Sequence, residues 1–249
     1  MFVAATTECF EQSSLPEAID RLFELEFSAV EIALHENLNQ LKPSEVMADL
    51  DRATQLCRNT RRLDVIAYSL QIEATGELHY AQFSACCKLA KATKVVTVTV
   101  PSAELGTPFN EEVEHLRRLV AIAQTEGVRV GLKSQVGRQS QDPDTVQVLC
   151  DNVKGLGLTL DPSHYICGPY ANRSIDKLIK YVYHVHLRDT SKKELQVRVG
   201  QGEVEYGKLI SQLSKVKYNR ALSINIKEMP GVDHPGELRK LRLLLETLL

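Results

Sequence analysis

A chain of 249 residues with 43% hydrophobic residues, 25% charged residues and a formal net charge of -2 has an ordinary globular composition. It can bury a core without disulfide or metal staples. The near balance of charge gives no electrostatic footprint for nucleic acid or an acidic membrane surface, and no apolar run reaches membrane-spanning length. The expectation is a cytoplasmic protein that meets small molecules, with no nucleic-acid or membrane partner; a homo-oligomer is left open.

The opening "MFVAATTECF" lacks a basic leader and a long apolar stretch, so it is expected as a strand, Phe2–Thr6, rather than a signal peptide. "SSLPEAIDRLFEL" sets Ser14 three residues before Glu17 with Pro16 between them, a helix start. Strands are expected next over Ser28–Leu34, Leu63–Leu70 and Lys94–Val100. "NEEVEHLRRLVAIAQTEG" then aligns Val113, Leu116, Leu119, Val120 and Ala123 on one helix face and stops at Gly127. Further strands are expected over Val128–Lys133, Leu156–Asp161, Tyr181–Leu187 and Ala221–Ile226. The last two are followed by the helical patterns "YGKLISQLSKV" and "GELRKLRLLLETLL".

Several of these strands are near-continuous runs of Val, Ile and Leu, as parallel strands covered on both faces should be. Eight strand–helix units in this length imply a single (β/α)8 TIM barrel spanning residues 1–249. An open doubly wound sheet would want a glycine-rich loop after its first strand, and "ATTECF" has no glycine. Cys9, Cys57, Cys86, Cys87, Cys150 and Cys167 form no Cys-x-x-Cys pair and are expected as reduced core residues.

In a barrel, chemistry gathers where the strands end. "LTLDPSHY" offers Asp161 and His164 there, with Tyr165 beside them to stack on a sugar. "YVYHVHLRD" alternates His184, His186 and Arg188 on one strand face. "RVGLKSQVG" closes an apolar strand with Lys133, an ammonium that needs a partner if buried.

Five segments, in this order, resemble the sugar phosphate isomerases and epimerases of the xylose isomerase-like TIM barrel superfamily. They are "VEIALHE", "GLTLDPSHY", "HVHLRD", "VGQGEVEYGKLISQL" and "ALSINIKEM", and the resemblance covers essentially the whole chain. It implies one divalent metal held by a Glu ending strand five, the Asp of strand six, the second His of strand seven and a Glu on strand eight. The two glutamates would double as the acid/base pair. Carried over, Asp161 and His186 remain, but Lys133 falls on the first glutamate and Asn225 on the second. The implied set carries three negative charges, whereas Lys133, Asp161, Asn225 and His186 cancel. No tightly bound cofactor is therefore expected. Lys133 would supply the metal's charge and pair with Asp161. If Mg, Mn or Zn does bind, Asp161 and His186 are the expected ligands, with Glu31, Glu73 or Glu228 recruited.

Lys133, His164 and Asp161 are thus the expected catalytic residues of a metal-independent isomerase or epimerase. Lys133 would polarise a carbonyl, and His164 or His186 would carry the proton. His184, Arg188, Asn225 and Tyr165 are expected to bind the sugar or sugar phosphate, with Lys192, Lys193 and Arg198 near Arg188 for an anionic group. The alternative is an inactive barrel that binds a sugar or sugar phosphate as a sensor or partner module. A Schiff-base role for Lys133 is disfavoured, because pairing with Asp161 raises rather than lowers a lysine pKa. The superfamily also holds apurinic endonucleases, but "IAYSLQI" and "VTVTVP" supply none of their extra histidines and the seventh loop has no Asp-x-His. DNA repair is not expected.

Overall fold

Branched aliphatic side chains at alternate strand positions need cover, and the computed structural model, which describes residues 1–171 and 173–249, provides it as a ring of helices. The strands are β1 (Phe2–Thr6), β2 (Ala29–His35), β3 (Asp64–Gln71), β4 (Thr97–Val100), β5 (Arg129–Lys133), β6 (Leu156–Leu160), β7 (Val182–Leu187) and β8 (Ala221–Ile224). They close in sequence order, β8 pairing with β1, and every pairing is parallel. The helices are α1 (Leu15–Glu24), α2 (Pro43–Ala48), α3 (Leu50–Arg58), α4 (Gly76–Ala92), α5 (Phe109–Thr125), α6 (Pro143–Asn152), α7 (Ser163–Ile166), α8 (Tyr206–Lys215) and α9 (His234–Leu248). The chain is the (β/α)8 barrel its strand–helix alternation implies.

Local sequence signals act where expected. Glu17 accepts hydrogen bonds from the Ser14 N–H and Oγ, both at 2.8 Å, and fixes the start of α1. After α5, Gly127 takes φ 72°, a left-handed value that costs glycine little. Two boundaries shift with consequence. β4 begins at Thr97 rather than Lys94, because Lys94 (φ 63°) forms the left-handed turn leaving α4. β6 and β8 end at Leu160 and Ile224, so Asp161 and Asn225 stand one residue beyond their strands, at the barrel mouth.

The two faces of the sheet divide by chemistry. Val30, Ile32, Leu132, Leu158, Val185 and Leu222 join helix residues such as Leu22, Leu116 and Leu241 in one continuous core. The lumen is lined instead by small and polar residues, register-matched from strand to strand: Ala33 to Ser69, Ser69 to Thr99, Thr99 to Gly131. Thr99 Oγ1 and Thr159 Oγ1 hydrogen-bond across it at 2.8 Å. Gly131 makes room for this contact, since a Cβ there would lie 2.4 Å from Thr159 Oγ1. All six cysteines are free, and all but Cys167 are buried. Among the described residues no helix is long and apolar enough to cross a membrane.

Candidate active site

Glu31 on β2 is a carboxylate in the lumen with no exposed surface. The period of two along β7 turns His184 and His186 inward together, and both reach this carboxylate. His184 Nε2 lies 3.0 Å from Oε2, and His186 Nε2 lies 2.9 Å from each oxygen. Ser223, in register with His186 on β8, donates from Oγ at 2.8 Å. Burial pushes the Glu31 pKa up, but His186 and His184 outweigh it and hold the group ionised well below the usual carboxylate range. The resulting knot ties β2 to β7 and β8.

Nearer the mouth a second carboxylate appears. Glu8 sits on a 3-10 turn, Thr7–Phe10, after β1 and is 5% exposed. Lys133 Nζ lies 3.5 Å from its Oε2, His35 Nε2 lies 3.5 Å from its Oε1, and Asn225 donates from Nδ2 at 3.4 Å. Burial acts to raise the Glu8 pKa; Lys133 first, then His35 and His186, reverse the sign and hold it low. The buried atoms Glu8 Oε1 and Asn225 Oδ1 have no hydrogen-bond partner. Buried acceptors without donors are rare in folded proteins and mark a place for a ligand hydroxyl or a water.

The expected Lys133–Asp161 pair is therefore corrected: Lys133 turns to Glu8, and Arg188 takes Asp161. Arg188 grips Asp161 Oδ2 through Nη2 at 2.9 Å and Nε at 3.1 Å, while the Ser163 N–H donates to Oδ1 at 3.0 Å. The planar guanidinium fork suits this carboxylate better than a lysine would. Burial raises the Asp161 pKa, and Arg188, then His164 and His186, bring it below its ordinary value. His164 accepts the Val136 N–H at Nδ1 (3.1 Å), so its neutral ring carries the proton on Nε2, 3.6 Å from Asp161. Burial, partly offset by Asp161, pushes the His164 pKa down to about 4. It stands at neutral pH as an N–H donor rather than a base.

A cavity of about 280 Å³ opens above these groups, lined by Glu8, His35, Lys133, His164, Arg188 and Asn225 among others. The structure thus brings Lys133, His164, Arg188 and Asn225 to one pocket. Asp161, His184 and His186 lie beneath it and support its walls. Tyr165 is not part of it: its ring packs in the apolar core and its hydroxyl donates to the Ser140 carbonyl at 2.9 Å. Sequence reasoning missed Glu8 and His35. His35 was within reach, since it shares the face parity of Glu31 on β2. Glu8 lies past the end of its strand, on a short turn with no periodicity.

Two donor sets test whether a divalent metal fits. Around Asp161 and His186 it would sit between the Arg188 guanidinium and the Lys133 ammonium, with Asp161 already bound at both oxygens. That set does not suit a cation. Glu31, His184 and His186 form the one group of three among the described residues whose donor atoms lie within 4.8 Å of one another. One carboxylate and two imidazoles have the right chemistry for a divalent ion. Their contacts, however, are hydrogen bonds among themselves, completed by Ser223. A metal-bound imidazole also normally rests its second nitrogen on an acceptor, and His186 Nδ1 is buried with no partner. In this structure the three side chains are held together as a hydrogen-bonded knot.

Comparison with known proteins agrees with the architecture. Residues 19–247 match the family described as Xylose isomerase-like TIM barrel. Among solved structures, a D-tagatose 3-epimerase-like protein superposes with a TM-score of 0.77 at 17% identity, covering 100% of this chain and 98% of its own. A xylose isomerase-like TIM barrel protein from Mycobacterium smegmatis in complex with magnesium gives 0.78 at 15% identity, with coverage of 99% and 95%. The 3-keto-D-glucoside 4-epimerase of E. coli gives 0.76 at 14%, with 99% of both chains covered. At such identities the likeness is one of fold. No protein of curated function matches the chain.

Proposed function

The chain belongs to the xylose isomerase-like TIM barrel family, and from that premise we propose that it is a sugar isomerase or epimerase that moves a proton beside a carbonyl without a metal. The observation that carries this reading is the pairing of Glu8 and Lys133 at one pocket. An ammonium and a carboxylate face each other loosely at 3.5 Å, and the carboxylate keeps one buried oxygen unbonded. A carbonyl oxygen entering between them draws Lys133 away from Glu8. Burial then governs the carboxylate and raises its affinity for a proton.

Glu8 takes the proton from the carbon next to the carbonyl, and the electron pair moves onto the carbonyl oxygen. The Lys133 ammonium stabilises the enediolate that forms. Returning the proton to the former carbonyl carbon, while the hydroxyl proton of the enediolate passes to the other oxygen, isomerises the sugar. Inverting the same centre requires a second group to deliver a proton from the opposite face. Asn225 and the neutral His164 N–H hold hydroxyls. Arg188, clamped to Asp161, shapes the wall and keeps that carboxylate from competing as a base.

The test is solvent deuterium exchange into a panel of ketoses, aldoses and their phosphates. Label should enter the carbon beside the carbonyl, and a chelator should leave the rate unchanged. Glu8→Gln and Lys133→Met should each slow it by about a hundred-fold or more. Saturable sugar binding with no exchange anywhere in the panel would sink the isomerase reading and leave a sugar-binding barrel.

A further inference from the structure

A second cavity of about 450 Å³ opens beside the first, between the ends of β3 and β4 and the first turns of α4 and α5. Its floor is apolar: Leu70, Phe83, Val100 and Leu119 are all nearly fully buried. His79 and His115 stand on its helical side with rings 5.2 Å apart. Burial depresses both pKa values, that of His115 to about 4, so they are uncharged at neutral pH. Glu112, 1% exposed, also lines the cavity; its Oε1 accepts the Ala103 N–H at 2.9 Å, and burial raises its pKa. None of these residues takes part in the proton transfer described above.

The two cavities meet at Gln71, the last residue of β3, which lines both. Gln71 and Asn37 both donate to Glu73 Oε1, at 3.1 and 3.2 Å, making a small polar divider at the junction. A ligand seated at the barrel mouth can therefore continue past it.

Charge decides what that ligand is. At the mouth, each lining cation already has a carboxylate: Lys133 has Glu8 at 3.5 Å, Arg188 has Asp161 at 2.9 Å and Lys227 has Glu11 at 2.8 Å. In the second cavity Arg138 is the sole lining cation among the described residues, set against Glu73, Glu104, Glu111 and Glu112. Arg138 is also engaged, donating to the Ser102 carbonyl at 2.8 Å and lying 3.8 Å from Glu104. A phosphate would have to break an ion pair at the mouth or enter a net acidic space beyond it.

We propose that the ligand is a glycoside whose sugar ring carries a keto group, with that ring at the barrel mouth and an uncharged, largely apolar aglycone in the second cavity, and not a sugar phosphate. The proposal rests on the sugar reading of the mouth, but not on catalysis there. Apolar walls supply the affinity for the aglycone, while the buried carboxyl of Glu112 and the Nε2 of His79, left as an acceptor because its Nδ1–H donates to the Ala74 carbonyl at 3.1 Å, take up its hydroxyl groups.

The test is calorimetric titration of the intact protein with D-glucose, D-galactose and D-xylose, each as the free sugar, the phenyl glycoside and the terminal phosphate. At least one phenyl glycoside should bind about ten-fold tighter than its parent, and no phosphate should bind tighter than its parent. Thr75→Trp fills the second cavity from an exposed position that makes no capping hydrogen bond. It should abolish the phenyl advantage and leave parent binding unchanged, which also verifies the fold of the variant. Equal binding of phenyl glycosides and parents overturns the proposal, as does a phenyl advantage that survives Thr75→Trp or tighter binding of a phosphate. If no sugar of any kind binds, the proposal and the sugar reading beneath it fall together. Phenyl glycosides of these aldoses carry no carbonyl and serve as binding probes alone; a phenyl advantage together with no exchange in the panel of free sugars removes the isomerase reading and leaves this proposal standing.

Discussion

At the scale of single residues, the site is governed by which charge reaches which partner. Lys133, His186 and Asp161 could be picked from the sequence because strand ends and period-two alternation fix their positions. Their partners could not, because Glu31 approaches from β2 and Glu8 from the turn after β1, at separations that no local pattern encodes. The Arg188–Asp161 pair was half visible: Arg188 shares the inward face of His186, and only its sideways reach to β6 needed the fold. Glu31 gives the clearest residue-scale prediction. Glu31→Ala leaves two imidazole N–H groups and the Ser223 hydroxyl buried without an acceptor, and should cost about 3–5 kcal/mol. Glu31→Gln keeps one acceptor oxygen and should cost less. Urea unfolding at neutral pH measures both, and equal losses would mean the carboxylate is not the centre of the knot.

At the scale of elements, the strands were legible because their outer faces are continuous runs of Val, Ile and Leu that must meet helices. The inner faces were harder to read: an Ala, Gly, Ser or Thr on a strand looks neutral until its cross-lumen neighbour is known. Gly131 shows why. Nothing local marks β5 as needing a glycine, yet a Cβ at that point would stand 2.4 Å from Thr159 Oγ1. Gly131→Ala should destabilise the barrel by about 1–3 kcal/mol through overpacking. Thr159→Ala removes the obstructing hydroxyl, so the double variant should be more stable than the sum of the single losses. A double-mutant cycle in urea reads this coupling, and strict additivity would place the strain elsewhere.

At the scale of the whole molecule, buried histidines set the response to acid. His35, His79, His115, His164 and His234 all have pKa values held below the ordinary histidine range, each chiefly by burial. The unfolded chain takes up these protons near the ordinary value of 6.5, and the folded chain resists until lower pH. Their contribution to stability is therefore complete above about pH 6.5 and is lost as pH falls towards 4. For His164 alone, moved from 6.5 to about 4, the loss approaches about 3 kcal/mol. The depressed carboxylates Glu8, Glu31 and Asp161 extend the decline to lower pH. Urea midpoints should be flat from pH 7 to 8 and fall steadily below about 6.5; a rise on acidification would contradict the burial of these rings. The knot around Glu31 also bears on how the chain is made. Glu31 is synthesised early, while His184, His186 and Ser223 follow 153, 155 and 192 residues later. At about 5–20 residues per second, translation leaves this glutamate without its partners for on the order of ten seconds. Enclosing an ionised carboxylate without partners is costly. Closure of the lumen around Glu31 is therefore expected only after β7 and β8 have emerged.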